Sequence, residues 1–80
     1  MNTKEAVAKR ILDLCAERNM AVNALASISG VSPSTIYSML NEKSKNPGFV
    51  SLKKICDGLG ITLGEFFSTP EFDGLEQEIK

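Results

Sequence analysis

A chain of 80 residues is long enough for one domain with one modest core, near the lower end of the sizes that fold unaided. Its 42% hydrophobic and 24% charged residues are those of a globular protein, and no apolar run approaches the roughly 20 residues that span a bilayer. A soluble, cytoplasmic protein is the expectation, with no membrane partner and no leader ahead of the first helix.

There is no histidine, which removes the commonest metal ligand and the commonest general base at neutral pH. Cys15 and Cys56 lie far apart on positions that read as core, so two small buried hydrophobes are expected rather than a disulfide. Two cysteines cannot complete a structural zinc site alone. With no phosphate-cradling glycine loop and no cysteine beside a plausible base, no enzyme, cofactor, metal or small-molecule ligand is expected.

The formal net charge of −1 argues at first sight against a nucleic-acid partner, but its distribution softens that objection. Residues 70–80 carry Glu71, Asp73, Glu76 and Glu78 against Lys80, a net of −3, which leaves +2 for residues 1–69. Between residues 32 and 54, Lys43, Lys45, Lys53 and Lys54 face only Glu42. The local field at a contact surface matters more than the total, although weak non-specific binding should follow.

The first helix is predicted over about residues 3–18, capped by Asn2 or Thr3 with Glu5 in its first turn. Val7, Ile11, Leu14 and Cys15 form its buried stripe, while Lys4, Arg10, Asp13 and Glu17 face water. Asn19 and Met20 close it, and Ala21 stands where a capping serine or threonine would be expected. From Val22 to Asn41 the pattern is two short helices joined by a three-residue bend. Leu25 and Ile28 give the first of these an apolar stripe; Ile36, Met39 and Leu40 do so for the second. Gly30 stops the first helix, Val31 plugs the bend from inside, Ser32 caps the second helix and Pro33 suits its first position. Ala26 is small where steeply crossing helices need close approach. Together these make a helix-turn-helix.

At about 100° per residue, Ser34, Ser38 and Asn41 centre the side of the second motif helix opposite Ile36, Met39 and Leu40, with Thr35 and Tyr37 on the flanks. Such a face could simply be solvated. Three serine and threonine residues and an exposed tyrosine on so short a helix fit base-edge contact better, so Ser34, Thr35, Tyr37 and Ser38 are the candidate readers. Tyr37 could equally bond a phosphate, pack on a thymine methyl or cover the core edge.

Residues 42–48 have no periodicity and read as a loop. A fourth helix follows over about residues 49–59, with Leu52, Ile55, Cys56 and Leu59 inward and Phe49 or Val50 anchoring its start. Gly60 ends it, Ile61 turns back into the core, and Thr62-Leu63-Gly64-Glu65 is a capping box opening a fifth helix. Of Phe66 and Phe67, one is expected to close the core and the other to protrude towards a second subunit. Pro70 is read as a break, and Asp73-Gly74-Leu75-Glu76 as a possible second capping box for a short acidic tail helix.

Ala26, Gly30 and Ile36 stand four and then six residues apart, with Leu25, Val31 and Met39 supplying apolar residues around them. With the run from Asn46 to Leu63, this resembles the phage repressor (Cro-like, XRE) helix-turn-helix family over about residues 4–68. The resemblance implies a compact all-α, five-helix, repressor-like domain over residues 1–69, with the helix-turn-helix at helices 2 and 3 and residues 70–80 as an acidic tail. It also implies a sequence-specific double-stranded-DNA-binding transcriptional regulator, a repressor, that binds as a homodimer. In the family the loop after the recognition helix meets the sugar–phosphate backbone. Carried onto this chain, that role falls to Asn41, Lys43, Ser44, Lys45 and Asn46, with Lys53 next on the following helix. Val22 stands where the family often has a phosphate-touching glutamine. That residue, the acidic tail and the near-neutral charge favour the alternative, a protein-interaction module on the same fold that has lost DNA binding.

Overall fold

The computed structural model describes residues 2–41 and 48–79, and these are helical with no strand among them. Six helices follow one another: α1 (Thr3–Glu17), α2 (Val22–Ser29), α3 (Pro33–Leu40), α4 (Phe49–Leu59), α5 (Leu63–Phe66) and α6 (Pro70–Asp73). The five expected helices are therefore joined by a sixth, single-turn one.

Asn2 starts α1 by accepting the Glu5 amide on its side chain at 2.8 Å. Ala6, Val7, Ile11, Leu14 and Cys15 then line one buried face. Arg10, expected to face water, instead reaches across to α5, donating from Nε to Phe66 O at 2.7 Å and from Nη2 to Glu65 O at 2.9 Å. Arg18 does the same for α4, donating to Leu59 O at 2.7 Å. The last carbonyls of a helix have no partner within it, and a guanidinium there both satisfies them and complements the negative end of the helix dipole.

The long central contact is between α2 and α4. Leu25, Ala26 and Ser29 are buried on α2, while Ile28 is 49% exposed, so the expected Leu25–Ile28 stripe is wrong in phase. The buried face centres between Val22, Leu25, Ala26 and Ser29, and Ile28 lies roughly 110° around the helix from it. Two apolar positions in eight residues did not determine that rotation; the partner helix does. Gly58 of α4 is where α2 comes closest: a Cβ there would lie 2.6 Å from Ser29 Oγ and 3.0 Å from both Ile28 O and Ser29 Cα. Ser29 Oγ is buried without a hydrogen-bond partner among the described residues.

Leu52, Ile55, Cys56 and Leu59 form the buried stripe of α4. Phe49 and Val50, expected to anchor its start, are 66% and 71% exposed. Val50 points away from the stripe, and Phe49, although in phase with it, lies in the first turn beyond the packed layer. Beyond α4, Thr62 and Glu65 complete a reciprocal capping box: Thr62 Oγ1 accepts the Glu65 amide at 3.0 Å, and Glu65 Oε1 accepts the Thr62 amide at 2.9 Å. This sets Phe66 fully into the core.

Phe67 does not protrude. Its ring meets those of Phe66 and Phe72 edge-on, both at 4.9 Å between centroids. Pro70, expected to break the chain, opens α6 as its first residue, where a missing amide costs nothing, and α6 brings Phe72 onto the core. The second capping box does not form: Asp73 ends α6 instead of capping a tail helix, and residues 74–79 are not helical. α6 and that segment return along α1, where Lys9 meets Glu71 of α6 at 3.5 Å and Thr3 donates to Glu78 at 2.7 Å.

Cys15 and Cys56 are free and buried, and burial pushes both thiols above their ordinary pKa. Among the described residues, no helix is long and apolar enough to cross a membrane.

Candidate nucleic-acid interface

The candidate interface is built outward from the bend. Gly30 ends α2 in the left-handed region at φ 68°, a conformation that only glycine adopts without a Cβ clash. Val31 sends its amide back to Ala26 O at 3.2 Å and packs half-buried on the core. Ser32, in extended conformation, accepts the Thr35 amide on Oγ at 3.3 Å, and Pro33 occupies the first position of α3.

From that start, the eight residues of α3 extend about 12 Å, comparable with the width of a DNA major groove. Ile36 is fully buried and Met39 nearly so, with Ala26 buried on α2. Opposite them Ser34, Ser38 and Asn41 are exposed, and neither α6 nor the tail covers them, because both pack on α1. Thr35 is half-buried. Ser32 Oγ lies 2.8 Å from Thr35 Oγ1 and 3.1 Å from Ser34 Oγ, so three hydroxyls form one connected group at the head of the helix. Each can donate or accept, which suits contact with base edges of either polarity.

Tyr37 is 51% exposed, and its hydroxyl donates to Asn23 Oδ1 at 3.3 Å. Asn41, at the end of α3, is exposed, and its backbone carbonyl accepts from Lys4 Nζ on α1. Lys53 is exposed on α4 and paired with Asp57 one turn on. Lys43, Ser44, Lys45 and Asn46 lie outside the described residues. Sequence reasoning passed over Asn23 and Lys4. Lys4 lies outside the helix-turn-helix, and Asn23, although within α2, fills no buried, capping or turn position of it; only the angle of the bend brings Asn23 beneath Tyr37.

The first turn of α3 holds no acidic residue, so its positive dipole end is left unopposed at the surface where a polyanion would approach. The arrangement holds a small, rigidly backed polar rod out from the molecule. It carries hydrogen-bonding groups but little fixed charge.

A family model of Cro/C1-type HTH DNA-binding domains matches residues 10–71. Among solved structures, the crystal structure of the prophage Lp1 protein 11 superposes with a TM-score of 0.82 at 30% sequence identity, covering 94% of this chain and 100% of that one. Comparison with curated proteins returns no match.

Proposed function

The chain belongs to the Cro/C1-type helix-turn-helix family of DNA-binding domains, and from that premise we propose that this DNA-binding regulator is a repressor that lays α3 in the major groove. One observation carries the reading: α3 buries Ile36 and Met39 and turns Ser34 and Ser38 outward, where both are exposed among the described residues. Ser34, Thr35 and Ser38, with the Tyr37 ring at their flank, would meet base edges. Asn41, Lys43, Ser44, Lys45, Asn46 and Lys53 would meet the backbone, Lys53 by exchanging Asp57 for a phosphate.

Two copies would act together. One domain of this size neutralises few phosphates, and a homodimer spanning half-sites one helical turn apart multiplies the affinity without any new contact within each half. Repression then follows from occupancy, since a bound dimer blocks the groove it reads.

The test is binding to mixed-sequence duplex DNA across a salt series, followed by selection of bound sites from a random pool. Affinity should fall with a log–log slope of about −0.9 per phosphate neutralised, and the selected pool should yield a palindromic site. Lys43→Ala should weaken all sequences alike, whereas Ser38→Ala should change the preference between sequences. Identical behaviour of the two variants would overturn the division into readers and anchors. Absence of any complex at about 20 mM salt, where screening is weak, would favour an interaction module instead.

A further inference from the structure

The bend between α2 and α3 is held at its closed end by Gly30, Val31 and the Ser32 cap. Its open end lies about 10 Å away along α2, near the helix start, where Ala21 supplies no side-chain cap. Across that open end the Tyr37 hydroxyl donates to Asn23 Oδ1. A contact far from a pivot controls an angle better than one beside it. Slack of about 1 Å at this distance would displace α3 around Ser38, a similar distance from the bend, by more than the roughly 0.5 Å that a preorganised site tolerates.

We infer that Asn23 and Tyr37 form a strap across the open end of the bend, and that Asn23 is a positioning residue that acts through Tyr37 to set the angle at which α3 meets DNA. This rests on the reading of α3 as the recognition helix. The strap is exposed in the free protein, so water competes for both partners and the bond contributes little to folding. Once a duplex covers this face, water is displaced and the same bond strengthens in lower dielectric. Its effect is therefore felt in sequence-specific binding and not in stability. It also directs the one hydrogen of the Tyr37 hydroxyl to the protein, leaving base reading to the serine and threonine hydroxyls.

The chain carries one tyrosine and no tryptophan, so its intrinsic emission reports Tyr37 alone. In the DNA-free protein, Asn23→Ala should change the yield or anisotropy of that emission, and Asn23→Gln, which keeps the amide acceptor, should restore it. Against a site selected from the random pool, Asn23→Ala and Tyr37→Phe should each lower affinity about three- to tenfold, the range expected for one such bond. The double variant should be no weaker than the weaker single one, and Asn23→Ala should leave the thermal midpoint and the mixed-sequence affinity unmoved. Unchanged emission in Asn23→Ala, multiplicative losses in the double variant, or equal losses on mixed-sequence DNA would each overturn the strap. If the wild-type chain binds no duplex, the functional reading falls and the strap's role with it; a wild-type complex that these variants leave intact overturns the strap alone.

Discussion

After α2 and again after α4 the chain turns the same corner. A glycine in the left-handed region ends the helix, Gly30 at φ 68° and Gly60 at φ 71°. A branched apolar residue returns its amide five positions, Val31 to Ala26 O and Ile61 to Cys56 O, and a hydroxyl residue, Ser32 or Thr62, caps the next helix. The difference lies three residues past the cap. Glu65 returns a bond to Thr62, closing the second corner in both directions and driving Phe66 inward. The first corner has Thr35 there, whose hydroxyl joins Ser32 and Ser34 at the surface instead. One corner serves packing; the other forgoes a stabilising carboxylate and so keeps negative charge away from the place where phosphates would come.

The two corners also touch, since Ser29 and Gly58 precede them and meet face to face. Breaking that joint should have the largest effect. Gly58→Val would push a branched side chain against Ile28 O and Ser29 Cα, which cannot swing aside, at a cost of about 3 kcal/mol. For a domain of this size that is a fall of roughly 12–24 °C in the thermal midpoint, read by circular dichroism. Next comes the conversion of one corner into the other. Thr35→Glu should complete a capping box and leave stability equal or slightly raised, yet weaken duplex binding about tenfold at low salt through charge repulsion. A denaturant titration paired with a DNA titration separates the two effects, and unchanged affinity would remove the charge argument.

Smaller effects sharpen the contrast. Thr62→Ala and Ser32→Ala should each cost about 1 kcal/mol in chemical denaturation, with Thr62 the larger because its cap bond is shorter, at 3.0 Å against 3.3 Å. Smallest of all, Ser29→Ala removes a buried hydroxyl that has no partner among the described residues, and should be neutral or stabilising by up to about 1 kcal/mol.

Both corners were legible in the sequence because everything they need is local: a glycine, a hydroxyl and their spacing. For the same reason α1 and α3 begin at their capping residues, Asn2 and Ser32, and α4 ends at Gly60. What failed to show was set by contacts between distant segments. The phase of α2 depends on Gly58, which is 30 residues from Ile28, so Ile28 looked buried and is not. Phe67 was left without an evident partner because Phe72 lies beyond a proline that reads as a stop and acts as a start. The outward face of α3 could be read from helical rotation alone. Asn23 could not, because its partner is reached only across the bend.

Arg10 and Arg18 are the chain's only arginines, and both turn inward to hold carbonyls at the ends of α5 and α4. Guanidinium groups so employed cannot wander over a duplex as adhesive. The molecule should therefore spend little time parked on irrelevant chromosome and remain mostly in free solution. On the proposed reading, its hold on a specific site would then track how many copies of the chain are present.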